Sequence, residues 1–397
     1  MAVRRRVCIA YHIFPHYRAA CMLELCRNGR HDYTLMSESR GVDKTIKVWK
    51  MPEDVKFIQS PAWHVGKGVC LMPKLIPLAF DRRFDTICLL AVAWYPSTWP
   101  CAFFARLMGK KVVFWGHGWT KPAKGLRKWL RLLYYKLCHT QMTYGHYAKT
   151  LCMEYGDRPE KVHVIYNSLD YAAQKAQRLT ITRDELVAMK KKVMGEGEER
   201  PIAVCSTRLV AFRKLDQLIE ACALLGKQGK PVDVLLVGDG PEKEKLRALA
   251  AERGVKCVFY GACYDEAVLS RLIMMSNVMV SPGAIGLAVM HAHAYGTPVV
   301  THDRIDDHGP EFEAIVPGRN GSFFRRDDVE DLARAIGEWT ATAFPRDEVR
   351  EGCYSIIERF WNAAFQRRAI ERAIDGEPGD DLWWMKPGAE ENSAQKI

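Results

Sequence analysis

Short apolar segments alternate with longer helical patterns along most of this 397-residue chain. Alternation of this kind builds parallel sheets from βαβ units, because each helix returns the chain to the edge where the next strand starts. The sequence therefore predicts an α/β protein with two Rossmann-like domains that face a central cleft. The predicted strands are VCIAY, DTICLL, KVVFWG, QMTYG and KVHVIYN in the first half, and IAVCSTR, VDVLLVGDG, CVFYG, VMVSP and TPVVTHD in the second.

Charge and apolar pattern predict where the parts of the chain begin and end. Residues 1–170 form the expected N-terminal domain and residues 201–353 the expected C-terminal domain. Between them, residues 171–200 end in KKKVMGEGEERP, a charge run without apolar pattern that predicts a linker containing a helix. Helical spacing over about 354–375 predicts helices that pack back on the first domain. Residues 376–397 are expected to be a polar, loosely ordered tail.

The composition, 48% hydrophobic and 26% charged, is that of a globular protein, and the net charge of +11 indicates an anionic partner. Nucleic acid is the least favoured partner, because no DNA- or RNA-binding motif accompanies the charge. The thirteen cysteines form no CxxC pair and no zinc-like cluster, which favours reduced core thiols. No run can cross a bilayer and MAVRRRVCIAY lacks a signal-peptide core. We therefore expect a cytoplasmic protein, with peripheral attachment to the inner face of the plasma membrane left open.

The segment SPGAIGLAVMHAHAYGTPVV, residues 281–300, has the strongest motif in the chain. It reads as a strand end at Pro282, a glycine turn, a short helix that stops at Gly296, and a new strand. A glycine-rich turn between strand and helix exposes backbone N–H groups, which suit a phosphate.

This segment and three others resemble the donor-binding motifs of retaining GT-B glycosyltransferases, glycosyltransferase family 4 (group 1), and the resemblance covers most of residues 200–340. STRLVAFRKLDQLIEA places Arg208 and Lys214 directly after a strand. The resemblance implies that these two cations hold the donor pyrophosphate and offset the charge on the leaving nucleotide. The alternative is a solvated pair on a loop. It also implies a tight turn at Gly238, and main-chain contacts to the base at Tyr260 and Gly261.

The paired-glutamate motif is altered in this chain. Most family members carry two glutamates eight positions apart, where this chain has Gly283 and His291. The resemblance implies that Gly283 has no side chain to bind the sugar, while His291 can still bond the ribose or be an ordinary helix histidine. Glu313 takes the place of the usual acid further on, and Glu311 is a second acid that can replace the missing glutamate. The backbone amides expected to keep their role are those of Ile285, Gly286 and Leu287.

The first half resembles the family less closely. His117 follows a buried strand between two glycines, so we expect it at the strand's carboxyl end, near the reacting sugar or the acceptor as in similar enzymes, rather than in the core. The usual glycine-rich loop is replaced by HIFPHYRAA, whose His16, Tyr17 and Arg18 can bind an anionic group through side chains. The alternative for Arg18 is a solvated residue at a helix start.

The segment from Lys121 to His139, KPAKGLRKWLRLLYYKLCH, is basic and aromatic at helical spacing. Such a helix either lies on an anionic membrane surface or is a core helix with a solvated basic face, and the sequence leaves both open.

The resemblance implies a retaining glycosyltransferase that needs no cofactor or metal. It moves a sugar from a UDP- or GDP-linked donor to a glycan or polyprenyl-linked acceptor, in bacterial surface polysaccharide synthesis. The leaving phosphate, held by Arg208 and Lys214, takes the acceptor's proton. Two alternatives remain: a sugar-nucleotide epimerase of the same fold, or a relative that binds nucleotide or protein without catalysis.

Overall fold

A computed structural model describes residues 3–40, 47–65, 68–197, 199–341 and 346–378. The chain divides into two units, one of Met1–Asp170 with Asn362–Ile397 and one of Tyr171–Trp361. Each unit has its own parallel sheet and apolar core, so the predicted α/β class is confirmed.

Within the described residues, the first unit contains nine strands and, in its N-terminal part, five α-helices. Its strands are β1 (Arg6–Ala10), β2 (Asp32–Ser37), β3 (Phe57–Gln59), β4 (Trp63–Val65), β5 (Val69–Leu71), β6 (Thr86–Leu90), β7 (Lys111–Trp115), β8 (Thr140–Thr143) and β9 (Val162–Val164). Its helices here are α1 (Ala19–Asn28), α2 (Leu75–Phe80), α3 (Thr98–Leu107), α4 (Gly125–Lys136) and α5 (His146–Glu154), with short 3-10 helices at His16–Arg18 and Pro159–Lys161.

Seven of these strands form one sheet in the order β3-β2-β1-β6-β7-β8-β9, and every pairing in it is parallel. Because parallel strands share one direction, all their carboxyl ends lie at one edge and all their amino ends at the other. β4 and β5 form a separate antiparallel hairpin. The central strands are buried on both faces, which is why they read as continuous apolar runs in the sequence.

The second unit, in the part that the structure describes, contains six strands and eight α-helices. Its elements are α6 (Tyr171–Thr180), α7 (Arg183–Met194), β10 (Ile202–Ser206), α8 (Leu215–Lys227), β11 (Asp233–Val237), α9 (Lys243–Arg253), β12 (Cys257–Gly261), α10 (Glu266–Met274), β13 (Val278–Ser281), α11 (Ala288–Ala294), β14 (Val299–His302), β15 (Gly321–Phe324), α12 (Val329–Thr340) and α13 (Arg346–Arg359), with 3-10 helices at Ala211–Arg213, Ile305–Asp307 and Pro310–Ala314. The sheet order is β12-β11-β10-β13-β14-β15, again parallel throughout. The order reverses between β10 and β13, where open α/β sheets bind ligands.

The segment 171–200, expected as a linker with one helix, forms the two helices α6 and α7. Both pack against α10 and belong to the second unit. α7 starts with a capping box, in which Thr182 Oγ1 accepts from the Glu185 N–H and the Glu185 carboxylate accepts from the Thr182 N–H. The lysine run at its end is the solvated part of a regular helix.

The expected helical stretch 354–375 is broken in two. α13 ends at Arg359 in the second unit, and α14 (Ala363–Asp375) starts after Asn362, whose side chain accepts from the Phe365 N–H at 2.9 Å. α14 packs against α1, β8 and β9 of the first unit. Most of the expected polar tail, residues 379–397, lies outside the described residues.

The thirteen cysteines are all unpaired, and ten of them are buried. Burial raises the pKa of thiols such as Cys26, to about 11, and Cys205, to about 12, so they stay protonated near neutral pH. The cysteines therefore act as small core residues, as expected from their spacing.

Candidate functional site

A cavity of about 210 Å³ lies at the carboxyl ends of β10 and β13, where the strand order reverses. Its walls include Thr207 after β10, Ser281 at the end of β13, and the loop Ala284–Leu287. The structure thus brings the expected donor loop to the ligand-binding edge of the second sheet. No residue among those described accepts from the N–H of Gly286 or Leu287.

The amide of Ile285 differs from its expected role. Its N–H donates to His308 Nδ1 at 3.1 Å, and its carbonyl accepts from the Gly309 N–H at 2.7 Å. Ile285 is therefore tied to the following loop on both sides, and its amide already has an acceptor. Gly286 and Leu287 keep amides that can face a ligand.

His308 fixes this loop through its tautomer, and the sequence alone did not single it out. Its Nε2 lies 2.8 Å from the His302 carbonyl, which requires a proton on Nε2 and leaves Nδ1 as an acceptor for Ile285. The two imidazoles stack with centroids 4.1 Å apart. Burial lowers the pKa of His308, and burial with the His308 and Arg326 charges lowers the pKa of His302 to about 4. Both rings are neutral at neutral pH.

Gly283 is a glycine because the chain passes too close for a side chain. A Cβ at this position would lie 2.6 Å from the Phe212 carbonyl oxygen and 2.9 Å from the Arg213 Cα. The Gly283 N–H also donates to the Arg213 carbonyl at 3.1 Å. A glutamate does not fit here unless the backbone of residues 212–213 moves.

The structure places three cations in the loop that follows β10, each in a different setting. Arg208 is exposed and has no acidic partner among the described residues. Lys214 has left-handed backbone (φ 53°), and its Nζ contacts Asp327 Oδ1. Arg213 lines the cavity: its Nη1 donates to the Ala284 carbonyl and its Nε is buried without a partner. Sequence reasoning missed Arg213, although it lies directly before Lys214.

Gly238 packs closely against the backbone of residues 207–209, the loop that carries Arg208, and does not itself approach a ligand. A Cβ on Gly238 would lie 1.8 Å from the Thr207 carbonyl oxygen, and one on Gly240 would lie 2.2 Å from the Leu209 carbonyl oxygen. These close approaches place the backbone of residues 207–209 against the turn after β11, with the Leu209 N–H donating to Asp239 at 3.0 Å.

Tyr260 and Gly261 lie at the end of β12, the edge strand of the second sheet. Tyr260 is partly exposed, and Gly261 has a positive φ of 93° while its carbonyl accepts from the Gly238 N–H at 2.8 Å. The main chain of Gly261 is thus tied to the Gly238 turn.

His291 connects three helices. Its Nδ1 lies 3.2 Å from Gln174 Nε2 on α6 and 3.4 Å from Glu266 Oε1 on α10. Burial alone would raise the pKa of Glu266, but hydrogen bonds from His291, Tyr295 and Gln174 lower it to about 2. The structure therefore gives His291 polar contacts to two other helices through Nδ1, while a ribose contact through Nε2 stays a prediction. His293 points elsewhere, with Nε2 3.0 Å from the Asn320 carbonyl oxygen.

Glu311 and Glu313 are both buried in the 3-10 helix Pro310–Ala314. The Glu311 carboxylate lies beside the donor loop: Oε2 is 3.6 Å from where a Gly286 Cβ would stand and 2.6 Å from where a Gly309 Cβ would stand. Glu311 therefore lies beside the donor loop at Gly286, and its replacement of the missing glutamate stays a prediction.

In the first unit, His117 lies at the carboxyl end of β7, as expected. Its ring packs edge-on against Tyr144, with centroids 4.9 Å apart, while the residue as a whole keeps exposed surface. The protein around the ring and the Arg18 cation lower the pKa of His117 to about 4, so the imidazole is neutral at neutral pH. Gly118 next to it has φ 59° and leaves no room for a Cβ against Thr143.

Arg18 is not a solvated residue. It is buried at the start of α1, its Nη2 donates to the Tyr144 hydroxyl, and its guanidinium lies 4.9 Å from the Tyr144 ring centroid and 5.6 Å from that of Trp115. His16 is exposed, with Nδ1 3.3 Å from the Lys47 carbonyl oxygen, and Tyr17 packs against it. Of the three residues expected to bind an anion, Arg18 is therefore turned inward.

The basic segment after Lys121 forms α4, which packs through buried Tyr134 and Tyr135. Arg131 lies 4.0 Å from the Trp119 ring centroid, and Lys128 lies 4.2 Å from that of Tyr155. Part of the basic face is thus used within the protein, while Leu126 and Trp129 are exposed.

Two features are absent from the described residues. No helix there has the length and apolar character needed to cross a membrane. No group of three or more His, Cys, Asp or Glu side chains in those ranges is arranged to hold a metal ion.

Comparison with protein families identifies the class. The model described as Glycosyl transferases group 1 matches residues 188–352, and the one described as Glycosyltransferase Family 4 matches residues 23–172. The chain belongs to the group 1, family 4 glycosyltransferases, and the family expected from the motifs is confirmed.

Individual proteins resemble it more distantly. A GDP-mannose-dependent alpha-(1-6)-phosphatidylinositol monomannoside mannosyltransferase of Mycolicibacterium smegmatis is 28% identical over 174 residues, which cover 41% of this chain and 43% of that protein. The chain thus spans less than half the length of this relative. A GDP-mannose-dependent monoacylated alpha-(1-6)-phosphatidylinositol monomannoside mannosyltransferase of Corynebacterium glutamicum is 21% identical over 361 residues, 86% of this chain and 87% of that protein.

The structure is similar to that of Anabaena HepE in complex with UDP. The TM-score is 0.70 at 16% identity, and the likeness covers 93% of this chain and 99% of that chain. The expected GT-B fold is confirmed.

Proposed function

We propose that this protein transfers a sugar from a nucleotide-diphosphate donor to a lipid-linked glycan acceptor, with retention at the anomeric carbon. The observation that carries the proposal is the cavity at the ends of β10 and β13, which combines open backbone amides with the Arg213 guanidinium. Backbone amides and a guanidinium are groups that stabilise a leaving diphosphate.

In the proposed mechanism the donor phosphate leaves and takes the acceptor's proton on the same face of the sugar, so no protein nucleophile is needed. Arg208 and Arg213 bind the diphosphate, and Lys214 is a further cation that must first separate from Asp327. These side chains can balance the charge on the leaving group, so we propose that the donor, UDP- or GDP-linked, reacts without a metal. The neutral His117 contacts the acceptor in the first unit.

The acceptor proposal rests on the relatives and on charge. Both mannosyltransferases are named for a phosphatidylinositol-linked mannoside, which is a lipid-linked glycan. A net charge of +11 suits an anionic membrane surface or a polyprenyl-phosphate acceptor. We place the reaction in bacterial surface polysaccharide synthesis, with the protein peripheral to the inner face of the plasma membrane.

The decisive measurement is the anomeric configuration of the product by NMR, after a panel of sugar nucleotides has identified the donor by thermal stabilisation. A true donor at 100 times its Kd should stabilise the fold by roughly 2.7 kcal/mol. We expect the donor's configuration in the product, with EDTA leaving the rate unchanged. An inverted product would refute retention. Conversion of the sugar nucleotide without an acceptor would indicate an epimerase instead, and donor binding without turnover a non-catalytic relative.

Glu311 is the acid that we propose binds the donor sugar in place of a glutamate at position 283. Glu311→Gln should lower kcat/KM for the donor by about 10- to 100-fold, because a hydrogen bond to a charged group contributes about 1.5–3 kcal/mol. The Kd of the free nucleoside diphosphate, measured by calorimetry, should stay within twofold. An equal loss of nucleotide affinity would show that Glu311 supports the loop and does not bind the sugar.

A further inference from the structure

One cavity of the first unit lies at the edge of the sheet opposite to His117. It has a volume of about 880 Å³ and is lined by residues at the starts of strands, among them Lys111 at the first position of β7 and His139 directly before β8. The strands between the two edges are about five residues long, which separates this cavity from the carboxyl ends by roughly 15 Å. It is therefore not part of the proposed acceptor site.

The lining is strongly cationic. Seven lysines and arginines line the cavity, against three acidic residues. Three of the cations have carboxylate partners, such as Lys161 with Asp157 at 3.0 Å. The four without a carboxylate partner among the described residues are Arg106, Lys110, Lys111 and Lys136.

The positive charge of the lining acts on neighbouring titratable groups. Burial and the Arg106, Lys111 and Lys161 cations lower the pKa of His139, and burial with the Arg5 cation lowers that of Lys111. Lys110 is nearly fully buried and satisfies its ammonium only with backbone carbonyls, one of them Phe84 O at 2.9 Å. A bound anion would offset the positive charge of the lining.

Exposed apolar side chains border the cavity. Leu107, 67% exposed, and Met108 stand between the lining residues Arg106 and Gly109 at the end of α3. Phe103, one turn earlier on α3, and Phe80 at the end of α2 are also exposed. On α4, Trp129 is 57% exposed on the same face as Leu132 and Lys136, which line the cavity.

We propose that this cavity binds the phosphate of an anionic lipid headgroup, while the exposed ends of α2 and α3 enter the bilayer interface beside it. The cations of the lining indicate that the ligand carries a phosphate. The exposed apolar side chains around the cavity indicate that this phosphate belongs to a lipid, because a free anion would leave them exposed to water. The proposal deepens the proposed lipid-linked acceptor, because it holds the enzyme on the surface where that acceptor lies. Binding itself does not depend on catalysis.

The test is co-sedimentation of the full chain with vesicles of phosphatidylcholine containing phosphatidylglycerol. The double variant Arg106→Gln/Lys136→Gln should lower vesicle affinity roughly 10- to 30-fold, since each cation near an anionic surface contributes about 1 kcal/mol. The matched control Lys227→Gln/Lys230→Gln removes two exposed charges from the second unit and should stay within twofold. Leu107→Ser should also weaken binding, and vesicles of phosphatidylcholine alone should not bind.

Equal losses in the two double variants would overturn the proposal, because binding would then follow net charge alone. Stabilisation by inorganic phosphate without vesicle binding would also overturn it, by showing a small-anion site. Thermal stabilisation by the sugar nucleotide, measured on the same variants, separates the two proposals. If that response is absent while vesicles still bind, the proposed function fails and the lipid site stands.

Discussion

Replacing Arg213 by alanine should lower kcat/KM for the sugar nucleotide by about 100- to 1000-fold. Loss of one preorganised donor to a developing negative charge has an effect of this size. Arg213 lines the cavity and is half-buried, so the open part of its guanidinium can donate to a bound diphosphate. Lys214→Gln should cost less than about tenfold, because Lys214 Nζ already contacts Asp327 and each new diphosphate contact has to replace that one. Steady-state kinetics on the two variants, made side by side, measure this difference.

Two controls keep the Arg213 result interpretable. Arg213→Lys retains the charge but not the fork that reaches the Ala284 carbonyl, so it should recover part of the rate. The Tm of each variant distinguishes weaker binding of the diphosphate, which leaves the Tm unchanged, from loss of the loop structure, which lowers it. If Lys214→Gln abolished transfer while Arg213→Ala left it intact, Lys214 would be the essential cation, as its position after the strand first indicated.

The choice between these two neighbours shows where sequence reasoning stops. The pattern of strand, cations and helix predicts a cationic loop, and the structure has one. It does not predict that Lys214 takes a left-handed backbone while Arg213 points into the cavity, since φ at one residue depends on how the loop packs. A lysine and an arginine side by side give the same pattern in either order.

Secondary structure could be predicted from the sequence where the local residue pattern determines it. The strands β1, β6, β7, β10 and β11, each buried at four or more of its five positions, appear as apolar runs, and all were predicted. β2 was missed because Asp32, Thr34 and Ser37 interrupt its apolar pattern. The start of α7 carried a usable signal, Thr182 followed three residues later by Glu185, which the charged run beyond it obscured.

The steric roles of Gly283 and Gly238 could not be predicted from the local sequence. Both glycines are required by backbone of another segment, residues 212–213 for one and Thr207 for the other. Contacts between segments distant in sequence leave no local pattern. The sequence marks the missing glutamate as a departure from the family, and only the structure gives its steric reason.

That reason leads to a prediction opposite to the one the family motif suggests. Gly283→Glu, which restores the family's residue, should destabilise the second unit by about 2–3 kcal/mol, because its Cβ would overlap the Phe212 carbonyl. The apparent Tm should fall by roughly 5–10 °C, as calorimetry would measure. Donor affinity should fall with it, since Arg213 and the donor loop line the same cavity.

Gly283→Ala distinguishes the effect of side-chain size from the effect of charge. It adds only the overlapping Cβ, and it should already lower the Tm. Gly226→Ala is the matched control: it lies within α8, and a Cβ there meets nothing within 4 Å. It should be neutral or stabilising by up to about 1 kcal/mol. A Gly283→Glu protein with an unchanged Tm and a higher transfer rate would mean that the 212–213 backbone yields readily, and that a glutamate at this position can bind the sugar as in the family. With the close approach seen here, we expect instead that sugar recognition depends on Glu311 and that position 283 accepts only glycine.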